Sequence, residues 1–387
     1  MYKIQVLNNI SEKGLALLDG SKYEIAEKID QPDAILVRSF KMNDMELPTS
    51  LKAIARAGAG VNNIPVTRCT EKGIVVFNTP GANANSVKEL VISALFLASR
   101  RLYDAITWAK SLAGKGEEVV KLIEKGKAQF VGPEIKGKRL GVIGLGAIGS
   151  MVANDALALG MEVVGYDPYI SIEAAWGLSR EVKRAKNLEG LLAEVDYLTL
   201  HTPLTEETKG FLDNKRFAQM KKGIILLNFA RGELINSKDL LEALQTGILS
   251  CYVTDFPDDA LLSLPQVIPI PHLGASTPEA EENCAVMACR QLKDFLENGN
   301  IVNSVNFPNC EMQRTGDSRI LIANKNIPKM INLITNVLAE KRLNISEMIN
   351  RHKNEVAYNI IDVDGKIDDT VVENIKKIEG ILMVRVI

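Results

Sequence analysis

A chain of 387 residues, 46% hydrophobic and 24% charged, is long enough to bury two or three separate cores. Its formal net charge of −2 argues against a nucleic-acid footprint or a polybasic membrane surface. No run approaches the ~18 apolar residues of a membrane span, residues 1–7 read as a short strand and not as a signal peptide, and the five cysteines form no C-x-x-C pair. The composition therefore points to a reduced, cytoplasmic, globular protein with no metal site.

Over residues 2–100, short apolar runs at 4–7, 34–37, 53–55 and 74–77 alternate with helical stretches, the pattern of a parallel sheet. A second alternating block runs from about residue 102 to 270 and contains Gly141-Val-Ile-Gly-Leu-Gly-Ala-Ile-Gly149, a buried strand leading into G-x-G-x-x-G. The glycines have separate tasks: Gly144 permits a tight turn, Gly146 lets the backbone approach a pyrophosphate, and Gly149 lets the next helix pack on the strand. That helix, expected over 150–159, aims the positive end of its dipole at the phosphates. A second strand ends at Asp167, eighteen positions after Gly149, against the roughly 20 expected for a carboxylate that grips a ribose diol. An acid there repels a 2′-phosphate, and Pro168 follows where an arginine would otherwise accept one, so the cofactor expected is NAD. The competing reading, a glycine-rich turn that binds nothing, has strand, helix and acid against it.

Further strands are expected at 197–200, 223–228 and 251–254, and a long helix over 278–297 with capping-box character at Ser276, Thr277 and Glu279. Residues 303–317, with Pro308 and several asparagines, read as a linker. Beyond it a strand at 319–322 leads to a helix over 329–342 with Met330, Leu333, Ile334, Val337 and Leu338 on one face. Strands at 345–349 and 356–363, a helix at 370–378 and a strand at 382–387 complete βαββαβ, a ferredoxin-like domain.

Only three histidines are available for general acid–base work. His272 lies between an apolar strand and the long helix, and His201 ends another strand; both are where open α/β sheets bind ligands. His352, beside Arg351 and Lys353, reads as solvated. Arg231 also follows a strand, placed to pair with a carboxylate bidentately, and Asp255, Asp258 and Asp259 follow the next. Such a set suits hydride transfer at a hydroxy-acid carbon: the arginine orients the carboxylate, the histidine moves the hydroxyl proton, and an acid steadies the imidazolium. From position alone, Arg231 and His272 could equally be residues that cap loops.

The glycine loop, Asp167, His201-Thr202-Pro203-Leu204-Thr205, Asn228-Phe229-Ala230-Arg231-Gly232 and Pro271-His272-Leu273-Gly274-Ala275-Ser276 together resemble the D-isomer-specific 2-hydroxyacid dehydrogenase family over nearly all of residues 1–308. The segment 298–308, the loop Val37-Arg38-Ser39-Phe40-Lys41 and a terminal domain similar to the ACT regulatory module resemble the branch that acts on a phosphorylated hydroxy acid. The resemblance implies an α/β fold of two doubly wound parallel-sheet domains plus the ferredoxin-like ACT domain. A discontinuous substrate domain would comprise 1–98 and 280–312, an NAD domain 99–279 and the ACT-like domain 318–387, with stretches 86–110 and 278–297 crossing between the first two.

Carried over residue by residue, Arg231 matches the carboxylate-binding arginine and His272 the acid–base residue. Arg38, Ser39, Lys41, Ala59, Gly60 and Val61 match substrate contacts. Gly144, Gly146, Ala147, Ile148, Gly149, Asp167, His201, Thr202, Pro203, Ala230, Asp255 and Gly274 match the cofactor site. The family's third catalytic residue is a glutamate; here the loop reads Thr254-Asp255-Phe256-Pro257-Asp258-Asp259-Ala260, one residue short, and Asp259 is the expected stand-in. In the terminal domain Asn326 and Asn344 match positions that contact L-serine, while Asn324 replaces a ligand-touching histidine and Lys329 a close-approach glycine. The implied assembly is a homodimer or homotetramer. Two other functions stay open: a glycerate/hydroxypyruvate or other D-2-hydroxyacid dehydrogenase, and a non-enzymatic NAD-sensing interaction protein.

Overall fold

Runs of β-branched and aliphatic residues three to six long, most of them followed by a helix, can bury both faces only in a parallel sheet covered on two sides. A computed structural model describes all residues 1–387 and contains two such sheets. The first holds β1 (Tyr2–Leu7), β2 (Tyr23–Ala26), β3 (Ala34–Val37), β4 (Ala53–Arg56) and β5 (Val75–Phe77), all parallel, in the order β2-β1-β3-β4-β5. This is the flavodoxin-like winding, whose strand order reverses beside β1 and β3. Ala285, Ala288, Cys289, Leu292 and Phe295 of helix Pro278–Asn298 cover one face. Met42, Leu47, Leu51 and Ile64 pack with Ile35, Val37, Ile54 and Val76 on the other.

The second sheet holds β6 (Arg139–Ile143), β7 (Glu162–Tyr166), β8 (Lys183–Arg184), β9 (Tyr197–Leu200), β10 (Ile224–Asn228), β11 (Leu249–Thr254) and β12 (Val267–Pro269), in the order β12-β11-β10-β9-β6-β7-β8. Every pairing is parallel. The order reverses between β6 and β9, so the carboxyl ends of these two strands open the crevice where a dinucleotide binds. Helix Ala84–Ser99 and helix Ala147–Ala158 cover one face through Val87, Val91, Leu95, Val152, Ala153 and Ala156. The expected single helix over 86–110 is two, Ala84–Ser99 and Leu102–Ser111, because Arg101 takes a left-handed conformation with φ 48°.

The last sheet is antiparallel: β13 (Ser318–Lys325), β14 (Asn344–Lys353), β15 (Val356–Asp364) and β16 (Ile381–Val386), in the order β14-β15-β13-β16. With helices Met330–Glu340 and Asp369–Lys376 this is the ferredoxin-like βαββαβ arrangement. The central strands β13 and β15 are buried on both faces, so their polar residues Arg319, Asn324, Asn359 and Asp362 must find partners inside the protein. Ile320, Ile322, Ile361 and Val363 face the two helices, while Leu321, Ala323, Tyr358 and Ile360 join the core of the first sheet.

Contacts divide the chain into two units, 1–83 with 278–387, and 84–277. The stretch 303–317 is packed and not a free linker. Asn306 Oδ1 accepts from Val76 N (2.8 Å), and its Nδ2 donates to Ile74 O (2.9 Å) and Thr70 Oγ1 (3.0 Å), while Val305 N and Ser304 Oγ donate to Val76 O, so this segment satisfies the free edge of β5. No helix is long and apolar enough to cross a membrane.

Candidate active site and cofactor cradle

The crevice at the ends of β6 and β9 is shaped by what its glycines exclude. Gly144 has φ 88°, and a Cβ there would lie 2.7 Å from the His201 carbonyl. A Cβ on Gly149 would lie 1.9 Å from Gly144 O, so helix Ala147–Ala158 can start this close only without one. A Cβ on Gly146 would meet no atom within 4 Å: the loop is open on the side where the backbone faces the crevice. No side chain caps this helix, which leaves its first-turn N–H groups for an anion.

Around the loop, Asp167 Oδ2 accepts from Leu145 N and Oδ1 from Tyr169 N, both at 2.8 Å. The carboxylate thus braces the glycine loop and retains acceptor capacity for a diol. His201 Nε2 contacts Thr199 Oγ1 (3.0 Å), whereas His201 Nδ1 and Thr202 Oγ1 are buried without partners. Burial pushes the imidazole down to about 3, so it is neutral. Orphaned polar atoms beside a loop that admits no Cβ at Gly144 and Gly149 and is open at Gly146 fit a dinucleotide.

The other candidate groups of this unit follow β10, β11 and β12. At the end of β10, buried Asn228 ties the turn that carries Arg231: its Nδ2 donates to Arg231 O (2.9 Å) and its Oδ1 accepts from Ala230 N (3.2 Å). The guanidinium is exposed, with Nη1 donating to Ala230 O (2.6 Å) and Cζ 6.0 Å from the Phe256 ring centre. After β11, Asp255 is 2% exposed and accepts from Leu273 N (2.7 Å) and Gly274 N (2.8 Å). Ser86 Oγ donates to Gly274 O at 2.7 Å. The loop after β12 is thereby clamped on both sides of its backbone. Its His272, at φ 53°, stands exposed with its ring centre 4.8 Å from that of Phe256.

Arg231 and His272 therefore approach the same aromatic ring. A cleft of about 590 Å³ here is lined by Glu233, Asp255, Phe256, Asp258 and His272, among others. Asp259 is not brought to His272: no hydrogen bond or ion pair joins them. Asp258 Oδ1 accepts from Leu261 N (3.0 Å) and caps the short helix Asp259–Leu262, which places Asp259 in the helix's first turn. Of the cleft's carboxylates, Asp255 has both oxygens engaged and Asp258 is a cap, while the Glu233 carboxylate makes no hydrogen bond or ion pair within the chain. Phe256 and Glu233 escaped the sequence reading, since neither an aromatic nor a glutamate beside a strand end signals chemistry by type.

In the other unit, the loop after β3 is fixed by its backbone. Asn8 Oδ1 accepts from Ser39 N (3.0 Å) and Phe40 N (2.6 Å); Arg56 Nε donates to Arg38 O (3.0 Å), and Asn63 Nδ2 to Phe40 O (2.8 Å). The Arg38 guanidinium meets Glu281 at 2.7 Å. Asn78 Nδ2 donates to Ala59 O (2.6 Å) in the neighbouring loop of Gly60 and Val61. Lys41 is exposed. In the terminal domain, Asn324 is buried and hydrogen-bonded to Asn359, Asn326 donates to Asn354 O and Asn344 to Asp364. Lys329, at φ 73°, takes the left-handed conformation that glycine adopts at no cost.

Comparison with known proteins adds an independent line. Residues 92–274 match the model of the D-isomer specific 2-hydroxyacid dehydrogenase family, NAD binding domain. A D-3-phosphoglycerate dehydrogenase of Methanocaldococcus jannaschii is 37% identical over 335 residues, which are 82% of this chain and 62% of that protein. One from Haemophilus influenzae is 31% identical over 96% of this chain and 90% of its own length. The chain spans about three fifths of the length of the first of these and of the Bacillus subtilis D-3-phosphoglycerate dehydrogenase (59%). Among solved structures, the NAD+-bound 3-phosphoglycerate dehydrogenase of Entamoeba histolytica has a TM-score of 0.63 at 28% identity, covering 79% of this chain and 98% of that one.

Proposed function

The chain belongs to the D-isomer specific 2-hydroxyacid dehydrogenase family and carries its NAD binding domain, and from that premise we propose that it oxidises 3-phospho-D-glycerate to 3-phosphohydroxypyruvate, the first oxidation on the phosphorylated route to L-serine. The observation that carries this reading is the placement of Arg231 and His272 against one ring, that of Phe256, with the His272 loop locked by Asp255.

Gly144, Gly146 and Gly149 with the first turn of helix Ala147–Ala158 would hold the pyrophosphate, and Asp167 the adenosine ribose. NAD+ held there supplies the hydride acceptor. Arg231 takes the substrate carboxylate in a two-pronged ion pair and so fixes which face of the carbinol carbon is presented. His272 removes the hydroxyl proton as the C–H bond breaks, which leaves a carbonyl and an imidazolium. Asp255 fixes the histidine through two backbone N–H groups without touching the ring. Asp259 remains our candidate to steady the imidazolium, which requires the short helix Asp259–Leu262 to shift. Glu233, with its carboxylate free in the cleft, is the alternative the geometry supports.

We assign the phosphate to Arg38, Ser39 and Lys41, with the backbone at 59–61 as a further substrate contact. L-serine as an effector through Asn326 and Asn344, and a homodimer or homotetramer, belong to the same proposal. Lys329 in a glycine conformation preserves the turn of such a module while placing a side chain where a ligand would approach.

The deciding experiment is NAD+ reduction with 3-phospho-D-glycerate against D-glycerate. A strong preference for the phosphorylated acid supports the proposal. Equal or faster glycerate oxidation moves the enzyme to another hydroxy acid. Tight NAD binding with no turnover of either would favour an NAD-sensing interaction protein.

A further inference from the structure

The arginine assigned to the phosphate already has an anion. Arg38 Nη1 lies 2.7 Å from Glu281 Oε1, and neither side chain is deeply buried, at 35% and 45% exposed. Glu281 belongs to the first turn of helix Pro278–Asn298, where the helix dipole favours negative charge. This pair does not shape the loop, because Asn8, Arg56 and Asn63 hold the backbone of residues 38–40 without it. What Glu281 fixes is the guanidinium alone, and it holds it by a solvent-exposed contact of the kind worth little and easily exchanged.

Resting on the assignment of Arg38 above, we propose that Glu281 is a resident competitor for the phosphate: a tethered carboxylate that occupies the Arg38 guanidinium until a dianionic ligand displaces it, and that returns to it when the ligand leaves. A phosphate dianion can win this exchange because it carries more charge and more acceptor oxygens than a carboxylate. Once displaced, Glu281 also repels the phosphate across the same few ångströms. The net result is looser binding of substrate and product alike. Binding energy withheld equally from ground and transition states costs nothing in turnover once substrate is plentiful, and it lets a phosphorylated product depart.

The neighbouring Glu282 supplies the control. It directly follows Glu281 near the start of the same helix and carries the same charge, but it pairs with Lys13 at 2.5 Å. Neutralising it changes the charge of the helix terminus without touching Arg38.

The experiment is calorimetric titration of the full chain and of the Glu281→Gln and Glu282→Gln variants with 3-phospho-D-glycerate and with inorganic phosphate, beside steady-state kinetics. Glu281→Gln is expected to tighten both ligands by about two- to five-fold, the range an exposed ion pair can exert. The KM for the phosphorylated acid should fall by a similar factor and kcat should move less. Glu282→Gln should leave both affinities within error. Unchanged or weaker binding by Glu281→Gln overturns the competitor role, and weaker binding would make Glu281 a residue that positions Arg38. Equal tightening by both variants overturns it too, since the effect would then be general electrostatics. If the wild-type chain turns over 3-phospho-D-glycerate while Glu281→Gln binds no differently, only this inference falls. If neither chain binds or turns over any phosphorylated ligand, the Arg38 assignment falls and takes the inference with it.

Discussion

The terminal antiparallel sheet and the cleft after β10–β12 use polar groups in opposite ways. In the sheet they are spent on the chain itself. Arg319 and Asp362 are both fully buried and joined by two hydrogen bonds of 2.6 and 2.8 Å, while Arg319 Nη1 donates to Asn298 O and Met312 O at 2.9 Å. Asn359 donates to Asn324 Oδ1 and Ile322 O and accepts from Asn350, and Tyr358 Oη donates to Gly299 O. Arg385 is the exception: Nε and Nη1 lack partners, and its guanidinium lies 4.5 Å from the centre of the Phe295 ring. In and beside the cleft, Glu233, His272 and Arg231 are exposed and paired with no opposite charge, while Asn228 and Asp255, which hold the turns of Arg231 and His272, are buried and saturated. Saturated burial marks polar groups that hold a structure. Exposed, uncompensated groups held in place by saturated neighbours mark those that meet a ligand.

If that contrast is sound, substitutions should separate into losses of stability and losses of turnover. The largest stability effect is expected for Arg319→Leu, which strands the Asp362 carboxylate in the core and should cost about 3–5 kcal/mol; denaturant unfolding measures it. Replacing both partners, Arg319→Met with Asp362→Leu, should recover much of that loss, and a double variant as unstable as the single would break the comparison. The pair also fixes an acid limb. Burial raises the Asp362 carboxyl, but the Arg319 hydrogen bonds and charge outweigh it, so the folded value lies below the unfolded one. The stabilisation is therefore complete above the ordinary aspartate value near ~4 and drains away as pH falls through the folded value.

His272→Asn should do the reverse. Turnover is expected to drop by about 10²–10⁴, the range of a lost general base, while NAD affinity and the unfolding midpoint stay as in the wild type. A fall in stability comparable to that of Arg319→Leu would show His272 to be a structural residue. Between the two lies Asp255→Asn. It replaces one of two acceptors with a donor facing a buried N–H, so about 1–3 kcal/mol of stability and part of the turnover should go together. Loss of only one of the two would place Asp255 wholly on one side of the divide.

Much of this was legible in the sequence, and the reason is local. The two sheets, the glycine loop and the βαββαβ order are written in hydrophobic period, turn residues and spacing, which need no knowledge of distant contacts. The strand-end positions of Arg231, His201 and His272 are legible for the same cause. What could not be read is tertiary pairing. Nothing near Phe256 in the sequence says that it lies against both Arg231 and His272, nor that Asp255 spends its carboxylate on the backbone of residues 273 and 274. Residues 303–317 looked like a linker because asparagines and Pro308 break periodicity, yet Asn306 completes the edge of β5 some 230 residues away along the chain. The resemblance offered Asp259 as the stand-in for a glutamate beside His272; nothing in the sequence says that Asp258 caps the helix in which Asp259 stands, or that Asp258 lines the cleft.

The remaining effect tests the cofactor side of the comparison, where a buried group is left unsaturated. His201 is neutral in the folded chain, with burial holding its imidazole at about 3, while in the unfolded chain it titrates near its ordinary value of about 6.5. Below that value the unfolded state takes up a proton that the folded state refuses. Stability should therefore fall by up to about 1.4 kcal/mol for each pH unit lost on the way down towards 3, superimposed on the Asp362 limb only at its acid end. Above pH 7 the histidine contributes no slope. Urea unfolding of the wild type and of His201→Gln across pH 7 to 4 isolates the term, since glutamine offers polar atoms of similar reach without a titrating proton. The variant should show the flatter profile. Equal slopes would mean that His201 Nδ1 finds a proton acceptor in the folded chain, and the orphaned atom would then no longer count among the features that fit the cradle to a dinucleotide.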